Sequence, residues 1–141
     1  MNPSEPRWRA WAAKAENDRL DIRNNLAASC VPWDAVCFHA QQAAEKMLKA
    51  LLSYHERQPP RIHDLVVLFE ECRRLVPALE DLAEDCDLLN DYAVEARYPG
   101  DLISPGEADG RAAAAAADRI SSAIARHLPQ EHNSTSNNAT S

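Results

Sequence analysis

The sequence contains little glycine, 3 of its 141 residues. A phosphate-binding loop needs several glycines at fixed spacing, and neither GxGxxG nor GxxxxGK occurs, which excludes the Rossmann and P-loop folds. A fold built from many tight hairpins needs glycine too and is excluded with them. No apolar run approaches the roughly 18 residues of a membrane span, so we expect no contact with a membrane.

Positive charge is also scarce, since 15 Lys and Arg stand against 22 Asp and Glu for a net charge of −7. This balance disfavours a surface that holds DNA or RNA by general phosphate attraction, although a local basic pocket is compatible with it. The opening segment, MNPSEPRWRAWAAKAENDR, is too charged for a signal peptide. We therefore expect a cytoplasmic protein.

The four cysteines form no CxxC pair; they are Cys30, Cys37, Cys72 and Cys86. In the reducing compartment that the lack of a secretion signal indicates, such cysteines are typically buried free thiols. We therefore predict no metal site and no cofactor.

Apolar residues recur at helical spacing, and proline or glycine interrupts the pattern at a few places. This pattern predicts five helices, at about 6–28, 33–54, 64–75, 78–97 and from Pro105 to about 128. No segment alternates as a strand would. The sequence therefore predicts an all-α, up-and-down antiparallel bundle of about five helices over residues 6–128. The polar residues 129–141 are predicted to be a disordered tail, because they offer almost no apolar surface to bury.

Two helix starts carry capping signals. Asp64 is predicted to be the N-cap of the third helix, and Ser104, with Pro105 and Glu107 after it, to begin a capping box for the fifth. The residues predicted to be mostly buried are Phe38, Ala44, Met47, Leu48, Leu51, Leu65, Phe69, Leu82 and Leu89.

The second predicted helix has a polar arc opposite its apolar face when it is plotted at about 100° per residue. This arc holds His39, Gln42, Glu45, Lys46 and Lys49. A solvated face is the simpler interpretation. However, two of the three lysines of the chain share the arc with a histidine, which indicates a small anion site.

Further candidates lie at the ends of two other predicted helices. His63 and Asp64 stand at a helix start, where Asp64 caps the backbone and the helix N-terminus attracts anions. Arg97 falls in the last turn of the fourth helix, where it either favours the helix dipole, pairs with Asp18 or Glu45, or binds a phosphate. Tyr98, next to it, is suited to stacking on a base.

Three segments of this sequence together resemble the HEPN family of small helical bundles. They are CFHAQQAAEK at 37–46 with Leu48, Lys49 and Ala50 after it, HDL at 63–65, and ARYP at 96–99. The resemblance implies a homodimer that binds a nucleotide, often beside a nucleotidyltransferase encoded next to it, as in toxin–antitoxin pairs. It also implies that the second and fourth helices are neighbours. The ligand-binding residues would then be His39, Gln42, Lys46, Lys49, His63, Asp64, Arg97 and Tyr98.

Many HEPN proteins that cleave RNA share an R-x4-6-H motif, whose Arg and His form the active site across the dimer. Arg57 with His63 and Arg126 with His132 match this spacing, but about as many matches are expected by chance. The first match spans a Pro-Pro loop and the second ends in the predicted tail. We therefore predict no catalytic residue, with two alternatives left open: a ribonuclease toxin that uses His39 or His63, and an interaction module without a ligand.

A homodimer is also predicted from the first helix, where Trp8, Trp11 and Ile22 are large apolar residues that need cover in a small bundle. Apolar surface left over after one bundle closes tends to form interfaces.

Overall fold

The computed structural model of the chain describes residues 6–92 and 104–130. The helices are α1 (Arg7–Leu26), α2 (Trp33–Tyr54), α3 (Leu65–Leu75), α4 (Ala83–Asn90) and α5 (Glu107–Ala125), with a 3₁₀ helix over Pro77–Leu82 before α4. No strand occurs in the described residues, so the predicted all-α bundle is confirmed. None of these helices combines the length and the apolar character needed to span a bilayer.

The helix α2 is the centre of the bundle, and 13 of its 22 residues are buried. It pairs antiparallel with α1, because Trp8 at the start of α1 contacts Tyr54 at the end of α2, while Asp18 contacts Lys46. Since α3, α4 and α5 also pack against it, almost every side of α2 is covered.

The connection between α2 and α3 returns along the side of the bundle. The carbonyl of His63 accepts a hydrogen bond from Gln41 Nε2 at 3.2 Å, so α3 begins beside the first half of α2. Asp64 is the N-cap of α3, as predicted, and accepts from the N–H groups of Val66 and Val67. Asn90 at the end of α4 accepts from the Leu65 N–H and thereby ties the start of α3 to α4.

The fourth predicted helix differs from its expected form. Its first turns are a 3₁₀ helix that begins at Pro77, where the Leu79 N–H donates to the Val76 carbonyl at 3.0 Å. The α-helical part begins only at Ala83 and ends at Asn90. Residues 93–97 of the predicted helix lie outside the described residues.

The predicted cap of α5 is wrong. The N-cap is Gly106 rather than Ser104, because the reciprocal acidic residue is Asp109, whose Oδ2 accepts from the Gly106 N–H at 3.0 Å. Ser104 and Pro105 precede the helix without belonging to it.

Eight of the nine residues predicted to be buried are buried. Phe38 is the exception. It is half-buried in the second turn of α2, and its ring meets the His39 ring edge to face, with the centroids 5.1 Å apart. Among the cysteines, Cys37, Cys72 and Cys86 are buried, but Cys30 is exposed in the turn after α1. Of the predicted tail, Pro129 and Gln130 are exposed, and residues 131–141 lie outside the described part.

The large apolar residues of α1 find cover within their own bundle. Ile22 is buried, and Trp8 and Trp11 are partly buried against the core. The surface that suggested a dimer is therefore smaller than the sequence indicates, and the dimer itself stays a prediction.

We expect Gly110→Ala to destabilise the protein by roughly 1–3 kcal/mol, the usual cost of overpacking. A Cβ at Gly110 would lie 2.4 Å from Cε3 of the Trp33 ring, so either this ring or the helices α5 and α2 would have to shift. The higher helix propensity of alanine, about 1 kcal/mol, offsets only part of this cost. Urea unfolding measures the loss of unfolding free energy in the variant. Gly106→Ala is the control, because a Cβ at Gly106 meets no neighbour within 4 Å.

We also expect stability to fall in alkali. Burial raises the pKa of the Cys72 and Cys86 thiols from 9.0 to about 12. In the unfolded chain these thiols ionise near pH 9.0, so their contribution is complete below that pH and is lost as the pH rises towards 12. At about pH 10 the loss in unfolding free energy is roughly 1 kcal/mol per thiol. Urea unfolding at several pH values measures this loss. In a Cys72→Ala/Cys86→Ala variant the free energy of unfolding should depend less on pH over this range.

Candidate functional site

Two carboxylates are buried where α1 packs on α2. Asp18, from the middle of α1, is 6% exposed, and Glu45, from the middle of α2, is 3% exposed. A buried carboxylate is stable only when it is paired and hydrogen-bonded. The partners of both groups include the basic residues that the sequence singled out.

Asp18 joins His39 to Lys46. Its Oδ1 lies 2.8 Å from His39 Nδ1, and its Oδ2 accepts from Lys46 Nζ at 2.7 Å. Asp21, one turn further along α1, places Oδ2 at 3.6 Å from the same His39 Nδ1. This set is called the Asp18 cluster below.

Glu45 makes the same kind of arrangement with different partners. Its Oε2 accepts from Lys49 Nζ at 3.0 Å, and its Oε1 lies 2.8 Å from His63 Nδ1. Lys49 is buried, and its ammonium lies over the Trp11 ring at 5.3 Å from the centroid. Glu45 therefore ties the α2–α3 connection to the centre of the bundle.

The two clusters differ in whether a solute can reach their lysine: Lys46 is partly exposed and Lys49 is buried, although His63 of the Glu45 cluster is 51% exposed. A carboxylate at Nδ1 fixes the orientation of an imidazole and directs Nε2 away from it. In the Asp18 cluster the side chains of His39 and Lys46 are 23% and 21% exposed, and no described residue is a partner of His39 Nε2. Lys46 uses one of its three N–H donors on Asp18. The ammonium of Lys49 is enclosed.

The structure thus brings some of the predicted site residues together and not others. His39 and Lys46 meet at Asp18, and Lys49 and His63 meet at Glu45. Gln42 Nε2 donates to Gln41 Oε1 at 2.7 Å, while Asp64 is engaged in its cap. Arg97 and Tyr98, together with the proposed pairing of Arg97 to Asp18 or Glu45, lie outside the described residues.

The polar arc of α2 is therefore not a solvated face, because α1 covers much of it. The sequence predicted Asp18 only as a partner for Arg97, and it did not predict Asp21, Gln41 or Trp11 as site residues. A signal for Asp18 exists in the sequence: this acidic residue falls at helical spacing from Ala15 and Ile22, which are buried on the same face of α1.

Asp18, Asp21 and His39 each place one ligand atom within 4.8 Å of the others, as a metal site would require. The Lys46 ammonium already neutralises Asp18, which disfavours a second cation at this position. The cluster is better suited to a ligand that accepts hydrogen bonds.

Comparison with known proteins agrees with this architecture. Residues 8–128 match the HEPN domain. The protein is also similar to TT1696 from Thermus thermophilus, whose crystal structure is known, with 26% identity and a TM-score of 0.73; the match covers 88% of this chain and 100% of TT1696. No curated protein matches the chain. Because the match to the HEPN domain extends over the whole described bundle, the chain belongs to the HEPN domain family.

Proposed function

We propose that the protein is an accessory HEPN protein that binds the phosphate of a nucleotide or similar ligand at the Asp18 cluster. The supporting observation concerns the surroundings of His39. Its Nε2 has no partner in the described part of the chain, and it shares Asp18 with the partly exposed Lys46. With Nδ1 directed at Asp18, the imidazolium form of His39 can donate from Nε2, and Lys46 has two further N–H donors, so both groups can form charge-assisted hydrogen bonds to phosphate oxygens.

The family resemblance supports the rest of the proposal: a homodimer that works with a nucleotidyltransferase as partner, in a toxin–antitoxin-like pair. Arg97 and Tyr98 are proposed to complete the ligand site from the end of the fourth predicted helix. Light scattering tests the dimer, because a particle of 15.6 kDa at micromolar concentration contradicts it. Co-expression with a nucleotidyltransferase that is encoded by a neighbouring gene tests whether the two proteins associate.

Calorimetric titration with ATP, AMP and inorganic phosphate tests the ligand. We expect Lys46→Met to weaken phosphate binding about tenfold or more, since a charge-assisted hydrogen bond contributes about 1.5–3 kcal/mol. Lys14→Met is the matched control, because Lys14 is exposed on α1 and forms no ion pair with a described residue. Both variants are compared with the wild type by circular dichroism, so that loss of folding is separated from loss of binding.

A variant of Asp21 tests whether the ligand is an anion or a cation. Asp21 adds a negative charge beside His39, so Asp21→Asn should strengthen the binding of an anion. A metal ion at the same place would lose a ligand in this variant and bind more weakly. Tighter metal binding than phosphate binding by the wild type, or no heat from any of the anions at millimolar concentration, refutes the phosphate site.

A second candidate function is ribonuclease activity with His39 as the acid or base. A buried aspartate at Nδ1 of a histidine is the arrangement that orients a general acid or base for proton transfer through Nε2. Incubation with labelled RNA tests this directly. Cleavage should disappear in His39→Gln and persist in His55→Gln, whose histidine is exposed at the end of α2; cleavage by both variants alike indicates a contaminating nuclease.

A further inference from the structure

The helices α1 and α5 both pack on α2 but scarcely contact each other. A cavity of about 210 Å³, called the α1–α5 cavity below, lies between them. Its apolar lining comes from α1, from one residue of α2 and from the end of α5 with the turn after it, and includes Trp8, Ala12, Ala15, Met47, Ala125 and Leu128. No described residue of this lining belongs to the Asp18 cluster, so the two features are separate.

One buried hydroxyl lines this cavity without a partner. Ser121 of α5 is 2% exposed and forms part of the cavity wall. Of the buried side-chain nitrogen and oxygen atoms in the described residues, Ser121 Oγ alone has no hydrogen-bond partner. A serine inside a helix often bonds to the carbonyl four residues earlier, but Ser121 does not. Since buried polar groups nearly always have partners, this hydroxyl indicates a partner from outside the chain.

Water alone fits this cavity poorly. A buried water molecule typically makes about three hydrogen bonds to polar groups of the protein. The wall around Ser121 is mostly apolar, because alanine, methionine, leucine and tryptophan side chains form most of it. A molecule with an apolar body and one polar group matches such a wall better, since the body contacts the apolar side chains while the polar group bonds to Ser121.

The charged residues of the lining are paired with each other or with neighbours. Arg19 donates to Glu16 Oε1 at 3.4 Å and to Asp118 Oδ1 at 3.0 Å, and Glu16 Oε2 accepts from Arg23 at 3.3 Å. The side chains of Glu16 and Arg19 are 56% and 32% exposed, which places them on the solvent side of the cavity. A charged ligand would give up its water here without meeting a free counter-charge, so the cavity favours an uncharged one.

We infer that the α1–α5 cavity binds a small, uncharged aromatic alcohol of the phenol type, whose hydroxyl forms a hydrogen bond with Ser121. The volume limits the ligand to one or two rings, because an apolar cavity of about 150 Å³ already holds benzene. The indole of Trp8 and the thioether of Met47 favour an aromatic body, since both make favourable contacts with rings. The inference does not depend on the proposed phosphate site.

Calorimetric titration with phenol, toluene and benzoate tests the inference. Phenol and toluene are similar in shape and differ in a hydroxyl against a methyl group, while benzoate adds a negative charge. In Ser121→Ala the ratio of phenol affinity to toluene affinity should fall about fivefold or more, because only phenol loses a hydrogen bond. Ser122→Ala is the matched control, since Ser122 is the next residue of α5, is exposed and does not line this cavity; it should leave the ratio unchanged.

A second variant fills the cavity instead of changing its polarity. Ala125→Leu should weaken phenol and toluene alike, whereas Ala112→Leu, at an exposed position of α5 outside this lining, should weaken neither. Circular dichroism compares the fold of all four variants with that of the wild type. The inference is overturned if Ser121→Ala keeps the phenol-to-toluene ratio of the wild type, if the wild type binds benzoate more tightly than phenol, or if millimolar phenol gives no heat.

Discussion

Replacing Glu45 with alanine is expected to lower the free energy of unfolding by about 3–5 kcal/mol, the usual cost of breaking a buried ion pair from one side. Glu45 is 3% exposed and Lys49 is 5% exposed, so the variant leaves an ammonium group enclosed with no carboxylate at 3.0 Å. His63 loses its Nδ1 partner as well. Urea unfolding monitored by circular dichroism measures the change.

The informative control removes both charges. In a Glu45→Leu/Lys49→Met variant no buried charge is left uncompensated, and replacing a buried pair by apolar residues is often neutral or stabilising. We expect this variant to recover most of the stability that Glu45→Ala loses. If the double variant is as unstable as the single one, the contribution of Glu45 lies in its contact with His63 rather than in the pair with Lys49.

The fold was largely predictable from the sequence, because helical spacing and proline placement are local signals. The bounds of α2 are those predicted, and the Asp64 cap follows from a single residue at a helix start. The cap of α5 was less predictable, because Ser104 and Gly106 both precede plausible acidic partners, Glu107 and Asp109. Only the backbone geometry decides between them.

The candidate site was predictable only in part, for a reason that concerns α2. A helical plot assigns one face to the core and the other to solvent, which holds for a helix at the surface. The helix α2 lies at the centre, so its polar face meets α1, and Lys49 became a buried partner of Glu45 rather than a free cation. Which helix occupies the centre depends on long-range packing, which no local pattern contains.

The end of the bundle where α1 begins and α2 ends illustrates the same limit. Trp8 and Tyr54 are 46 positions apart in sequence, and no spacing rule connects them with Arg57. Their proximity follows from the antiparallel pairing of α1 with α2, which brings the start of one helix to the end of the other.

Replacing Leu51 with alanine is expected to cost about 2–5 kcal/mol of unfolding free energy. Leu51 is fully buried on α2, and the helices packed around α2 hold its backbone in place, so the cavity left by the missing methyl groups cannot collapse. Leu88→Ala, at a residue 38% exposed on α4, is the control and should change stability by less than about 0.5 kcal/mol. A loss below about 1 kcal/mol for Leu51→Ala, with an unchanged denaturant slope, would mean that the bundle relaxes around this position.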